Sequence, residues 1–363
     1  MRVHQWFAAG RPVWTANARQ LFSAIACAVA ALALPSPTTA APATEVRIGT
    51  SNSSSDVGFF LADKKGYFKQ EGITPTYIAF DSAAKMTAPL GAGQLDVGGG
   101  AASAALYNAV ARGIAIRIVA DKGSTPPGHG FQPLLVRKDL IASGKVKGYA
   151  DFKGLRVASG SNGIATSVTL NEALKKGGLT LADVTVVNLG YPQHVIALQN
   201  KAVDASLTTE PSATLAVTNG IAVRFAGDDE IYPNHQLAVV LYGGNFIKDN
   251  PDVAKRFMRA YLRGVRDYND ALKDGKLAGP NATEVIAILN EFTLIKDPAI
   301  YRAIVTQGSN PDGRVNEASL QMDLQFFKDQ GLISGNIGVA QVVDNSFVEA
   351  AVKDLGPYRP RPR

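Results

Sequence analysis

Six short stretches gather hydroxyl-bearing and small residues: SNSSSD (51–56), FDSAA (80–84), GGGAAS (98–103), ASGSNGIATS (158–167), GYPQ (190–193) and TTEPS (208–212). Each would set free backbone N–H groups at a helix start beside side-chain hydroxyls. Helix N-termini carry partial positive charge and attract anions. A single turn of this kind does no more than cap its own helix. Several converging on one cleft would hold an oxyanion without a dedicated Arg, and none of the six contains one. Glu210 precedes Pro211 at a helix start, so its carboxylate either satisfies that helix or meets an amine or N–H of a ligand. Large aromatic walls would come from Phe59, Phe80, Phe131, Tyr191 and Tyr242, with Tyr191, set out by the Gly190–Pro192 turn, the leading candidate.

Bond-making chemistry has no visible constellation. His129, His194 and His235 are widely spaced and lack metal-ligand spacing; His194 and His235 read as surface residues. GxSxG and HExxH are missing. SGSNGIATS lacks the Gly-Lys-Ser/Thr ending of a phosphate loop, and GGGAAS is no dinucleotide fingerprint. No catalytic residue, metal or cofactor is expected.

The turns punctuate an alternating pattern. VRIGTS (46–51), ITPTYIAF (73–80), LDVGGG (95–100) and IAIRIVAD (114–121) read as strands, with helices over 56–72, 82–93 and 103–113 between them. FQPLLVRKDL (131–140) leaves this set. LRVASG (155–160), VTVVNLG (184–190), VDASLTT (203–209) and IAVRFAG (221–227) form a second, with helices near 164–177, 192–200 and 211–220. LAVVLYGG (237–244) is the last strong strand, after which the chain is mainly helical, at 251–274, 281–293, 298–306 and 317–330. Strands alternating with ten-residue helices imply parallel β-α units. LGAGQLDVGGGAASAAL (90–106) echoes LQNKAVDASLTTEPSATL (198–215), aligning Asp96 with Asp204. Two similar α/β lobes follow from that echo, with ligands expected beyond the carboxyl ends of the strands.

The 363 residues are 46% hydrophobic, which excludes general disorder, and carry a net charge of +6. Residues 1–40 hold Arg2, Arg11 and Arg19, no acid, the apolar run 21–34 and small residues at Thr38 and Ala40. This is the pattern of a cleaved signal peptide, so a secreted, periplasmic location is expected. Cys27 lies inside the apolar run, after Ala24 rather than a lipobox Leu, so no lipid anchor is expected there. Removing the leader lowers the charge to +3 and takes the single Cys and both Trp. Basic residues are scattered, which excludes a nucleic-acid surface.

Four segments carry a family resemblance: VRIGTSNSSSDVGFFLADKKGYFKQEGI, LGAGQLDVGGGAASAALYNAVARGIAIRIVADKG, LLVRKDL with DFKGLRVASGSNGIATS, and LQNKAVDASLTTEPSATLAVTNG. The chain resembles the periplasmic substrate-binding proteins of ABC importers, in the nitrate/sulfonate/taurine group that includes thiamine-precursor binders. The resemblance implies an α/β, type II binding-protein fold of two lobes, each a mainly parallel sheet flanked by helices, joined by two hinge crossovers. Lobe 1 is expected over 44–133 and 237–363, and lobe 2 over 134–236. It also implies a monomer that closes on a small-molecule ligand and delivers it to a membrane permease with its ATPase. Carried over position by position, the ligand contacts are Ser53, Ser54, Ser55, Ser82, Ala102, Ser103, Ser161, Asn162, Gly163, Ala165, Tyr191 and Glu210. Without Trp or a site Arg, the expected ligand is a small organic anion, sulfonate-like or carboxylate-bearing; a pyrimidine-type heterocycle is the alternative. Pyrimidine-precursor synthases look similar but carry a Cys-rich iron site, and this chain has no Cys after Cys27.

Overall fold

A computed structural model describes residues 43–361. The leader, with Cys27, lies outside them.

Two five-stranded sheets organise the chain. The first contains β1 (Thr44–Thr50), β2 (Ile73–Ala79), β3 (Val97–Ala101) and β4 (Arg117–Gly123); the second contains β5 (Leu134–Arg137), β6 (Arg156–Ser159), β7 (Thr185–Asn188), β8 (Ala205–Leu207) and β9 (Ala222–Ala226). A later strand, β10 (Ala238–Tyr242), returns to the first sheet, and beyond it Leu272–Lys273 pairs with Lys276–Leu277 in a short antiparallel hairpin of its own. The orders are β2-β1-β3-β10-β4 and β7-β6-β8-β5-β9, the same plan twice. In each sheet the first three strands of that order run parallel, and the fourth, which follows a crossover from the other sheet, enters antiparallel. The sheets are therefore mixed where the alternation alone predicts mainly parallel ones: β5 and β10 come from crossovers rather than right-handed β-α-β returns.

Other elements depart at their edges. The strand expected over 131–140 shortens to β5 because a helix begins at Lys138. A helix at Ser346–Leu355, outside the expected set, packs Phe347, Val348 and Ala351 onto the first sheet's core.

The amphipathic helix Pro251–Asp270 dominates that core, stacking Phe257 on Phe68 and packing Tyr261 on Phe59. Phe59 and Tyr242, offered as ligand walls, are fully buried here. The three glycines of β3 are explained by contact. A Cβ at Gly99 would come within 2.7 Å of the Lys122 stem and of Phe59, and one at Gly100 within 2.7 Å of Ala83. Hydrocarbon packs on both faces of the second sheet, through Leu134, Val157 and Leu207 on one side and Leu135, Ala158 and Ala216 on the other.

Candidate functional site

The sequence echo is a structural repeat down to single hydrogen bonds. Asp96 accepts from the Arg47 backbone N (2.8 Å), Nε (2.9 Å) and Nη2 (2.7 Å), while Arg47 Nη2 also donates to Gly93 O (2.9 Å). Asp204 accepts from the Arg156 backbone N (2.9 Å), Nε (3.0 Å) and Nη2 (2.9 Å), while Arg156 Nη2 also donates to Lys201 O (2.8 Å). Gly93 and Lys201 both have positive φ, so the aligned turns share one backbone shape. Each strut ties a parallel strand to the start of its neighbour, β1 to β3 and β6 to β8. It thereby fixes where the turns after β1, β3, β6 and β8 emerge.

Those turns meet. The backbone N–H of Ala104 donates to Gly163 O (2.8 Å), and that of Ala165 donates to Ala102 O (3.0 Å), making an isolated antiparallel bridge at Ser103 and Ile164. The helices Ala104–Ala111 and Ala165–Lys176 therefore start against each other. Gly163, at φ +66°, is the tight point: a Cβ there would come within 3.3 Å of the Ala104 methyl. A second junction joins the Ser54 N–H to Glu210 O (2.8 Å).

The expected ligand contacts divide by what they do. Ser53 Oγ accepts from the Ser55 N–H (3.3 Å) and hydroxyl (3.2 Å). Ser54 Oγ donates to Gln307 Oε1 (3.1 Å), and Ser55 Oγ accepts from Lys122 Nζ (2.6 Å). Ser82 is buried and its hydroxyl has no hydrogen-bond partner among the described residues. Ala102, Gly163 and Ala165 serve the bridge through their backbones. Ser103 Oγ caps its helix by accepting from the Leu106 N–H (3.2 Å). Ser161 accepts from the Ser167 hydroxyl through its carbonyl (3.3 Å). Asn162 is exposed, outside the buried group.

Tyr191 is not set out to solvent but buried, 6% exposed, because it opens the helix Tyr191–Gln199, with Pro192 in the first turn, and its ring folds inward. Its hydroxyl accepts from Gln132 Nε2 (3.2 Å) and contacts Thr166 Oγ1 (3.4 Å). Burial raises its pKa. Glu210 is 1% exposed, and its carboxylate caps the helix Ser212–Thr218 by accepting from the Thr214 N–H (2.8 Å). Arg224 Nη1 lies 3.7 Å away, and burial raises the Glu210 pKa. Glu210, Arg224, Lys276 and Val305 border a cavity of about 230 Å³. A larger recess of about 710 Å³, lined by Ser124, His129, Asp274 and Asn310, lies away from the six turns.

His194 and His235 are fully buried, not on the surface. Each ring bridges two polar groups, which offsets the cost of burial. His194 contacts Thr208 Oγ1 (2.9 Å) and Leu189 O (3.1 Å), and burial lowers its pKa to about 4. His235 contacts Asp323 Oδ2 (2.9 Å) and Thr169 Oγ1 (3.2 Å).

Four residues beyond the expected contacts belong to the same edges. Ser159 Oγ, Thr209 Oγ1 and Gln132 Oε1 are buried without partners among the described residues, as Ser82 Oγ is. Ser159 ends β6, and Thr209 follows β8. The fourth is Lys122, which forms a fully buried pair with Asp56 (Nζ–Oδ1 2.8 Å) directly behind the serine loop. Ser159 and Thr209 lie inside stretches singled out by composition, but Gln132 and Lys122 carry no local signal. Among the described residues, no group of three or more His, Cys, Asp or Glu side chains is placed to hold a metal ion. No described helix is long and apolar enough to cross a membrane.

Two mixed sheets of one strand order, whose turns meet beyond the carboxyl ends of their parallel strands, make a two-lobed α/β fold. The particular family follows from the sequence: residues 54–272 match the NMT1/THI5-like family, and the chain belongs to it. The alkanesulfonate-binding protein SsuA of Xanthomonas axonopodis pv. citri, solved bound to MOPS, is 21% identical with a TM-score of 0.66, covering 84% of this chain and 99% of that one. The periplasmic nitrate-binding protein NrtA of Synechocystis PCC 6803 is 15% identical with a TM-score of 0.71, covering 86% and 89%. Among curated sequences, the 4-amino-5-hydroxymethyl-2-methylpyrimidine phosphate synthase THI5 of Saccharomyces cerevisiae is 27% identical over 224 residues, 58% of this chain. The match spans 62% of the yeast protein's length.

Proposed function

We propose that this protein is the extracytoplasmic solute-binding component of an ABC importer. It binds a small organic anion, sulfonate-like or carboxylate-bearing, between lobe 1 (44–133 and 237–363) and lobe 2 (134–236). As a monomer, it then presents the anion to a permease driven by its ATPase. It is a binding protein, not an enzyme, and the leader directs it to the periplasm.

The observation that carries this reading is the pair of backbone junctions, Ala102–Ala104 with Gly163–Ala165 and Ser54 with Glu210, next to buried hydroxyls that have no partner. An unpaired buried hydroxyl costs about 1–3 kcal/mol. Ser82, Ser159 and Thr209 repeat that cost on both facing edges, where a ligand oxygen would offset it. The segments through 124–133 and 234–237 supply the hinge.

A second reading is a heterocycle such as a pyrimidine or thiamine precursor. It is supported by the yeast relative and by Gln132, whose buried Oε1 is an open acceptor while its Nε2 is committed to Tyr191. The synthase reading is set aside because the chain has no Cys beyond Cys27 to build a Cys-rich iron site.

The test is a thermal-shift screen of the purified protein against methanesulfonate, taurine, nitrate, benzoate and 4-amino-5-hydroxymethyl-2-methylpyrimidine. A ligand at 100 times its Kd stabilises by about 2.7 kcal/mol. Stabilisation by a sulfonate or carboxylate supports the first reading, stabilisation by the pyrimidine alone supports the second, and none by any probe defeats both.

A further inference from the structure

The serine loop after β1 is wired to a charge that the sequence does not place near it. Lys122 projects from β4 across Gly99, whose missing side chain clears its path. Its ammonium ends 2.8 Å from Asp56 Oδ1 and 2.6 Å from Ser55 Oγ, with the side chains of Lys122 and Asp56 both 0% exposed. The other Asp56 oxygen is committed to the loop, accepting from the backbone N–H groups of Ser51 (3.2 Å) and Ser53 (3.1 Å).

A hydroxyl has one hydrogen and two acceptor lone pairs. Ser55 Oγ accepts from the ammonium, which gives nothing back, so its own hydrogen goes to Ser53 Oγ at 3.2 Å. Ser53 Oγ accepts that hydrogen and also the Ser55 N–H at 3.3 Å. With both lone pairs engaged, the Ser53 hydrogen points away from the loop, and it has no acceptor among the described residues. Successive hydrogen bonds in a low-dielectric interior polarise one another. The ammonium therefore strengthens the donor at the far end of the chain.

A buried ion pair is a poor way to stabilise a fold, since hydrocarbon of equal volume does as well or better. Placed behind a hydroxyl chain that ends at the meeting edges of the two sheets, it has another use. We propose that Lys122, acting through Ser55, makes the Ser53 hydroxyl a polarised donor that selects a ligand carrying an anionic oxygen. This rests on the binding-protein reading above. Lys122 and Ser55 are positioning residues; Ser53 is the contact.

The experiment is calorimetric titration of wild type, Ser55→Ala, Ser55→Thr, Ser53→Ala and the paired variant Lys122→Met with Asp56→Asn. The probes are methanesulfonate, nitrate, benzoate and the neutral 4-amino-5-hydroxymethyl-2-methylpyrimidine. The wild type binds at least one anion. Ser55→Ala, Ser53→Ala and the paired variant each weaken it by roughly 10- to 100-fold, the worth of a charge-assisted hydrogen bond. Ser55→Thr keeps the hydroxyl and restores binding. Ser55→Ala leaves the ion pair in place, so it reads the relay even if the paired variant does not fold. The inference is overturned if Ser55→Ala leaves anion affinity within about twofold, if anion and pyrimidine weaken equally, or if only the pyrimidine binds wild type. Failure of every probe overturns the binding-protein reading itself, and the inference with it.

Discussion

The two β-α-β units share a strut and differ in what lies behind the turns that end their strands. Arg47–Asp96 and Arg156–Asp204 repeat bond for bond. Behind the turn after β1, however, lies the buried Lys122–Asp56 pair, whereas the turn after β6 rests on Tyr191, Gln132 and Thr166, a neutral network. Asp204 is also held by Arg137 Nη1 from β5 (3.0 Å), a donor that Asp96 lacks. The framework is duplicated and the site chemistry is not. Strut geometry is set by backbone register, which repeats; the surroundings of a turn depend on which distant strand passes behind it.

The sharpest way to break this comparison is at the ion pair. Lys122→Met alone strands a buried carboxylate and should cost about 3–5 kcal/mol, or prevent folding. Thr166→Val in the neutral network should cost about 1 kcal/mol. Urea unfolding of the two variants measures the contrast, and equal losses would remove it.

The struts come next. Asp204→Ala removes the carboxylate shared by Arg156 and Arg137, of which Arg137 keeps Asp139, and should cost about 2–3 kcal/mol, with Asp96→Ala about 1 kcal/mol less. Equilibrium urea midpoints would show whether the third donor accounts for the difference.

The second unit also carries a titratable core group, His194. Its folded pKa, about 4, lies below the ordinary value of 6.5, so the unfolded chain binds the proton more readily. Stability is therefore complete above pH 6.5 and falls as pH drops toward 4, by about 1–3 kcal/mol. His194→Gln should flatten this acid limb in pH-dependent thermal melts; an unchanged limb would assign it elsewhere. Asp228 tests the opposite sign. Burial raises its pKa to about 7, so its contribution falls as pH rises from about 4 to 7, and Asp228→Asn should remove that slope.

The smallest effects belong to two helix-start caps, Ser103 and Glu210. Ser103→Ala and Glu210→Gln should each cost about 1 kcal/mol or less in thermal melts. If Glu210→Gln also weakens a bound probe more than Ser103→Ala does, the carboxylate meets ligand as well as helix.

Much of the fold was legible because it is local. Hydrophobic runs, helix starts and Gly turns gave the strand and helix sequence, and the LGAGQLD/LQNKAVD echo gave the repeat. The strands β5 and β10 were legible as strands, but not their antiparallel insertion, since partner choice depends on residues about a hundred positions away. Ser53, Ser55, Ser103 and Glu210 could be named from their turns, yet their hydrogen-bond partners could not. His194 and His235 were misplaced because a polar residue in a polar segment looks exposed until the groups that satisfy it are known.

By itself the sequence determined two α/β units and the positions of their turns, since propensity, periodicity and turn chemistry are written in neighbouring residues, and the match over residues 54–272 determined the family. Only the tertiary structure decided that Lys122 stands behind Ser55 and that Tyr191 turns inward. It likewise decided that Ala102–Ala104 meets Gly163–Ala165. Those facts depend on which strands pass one another, and the energies that fix them are summed over the whole core.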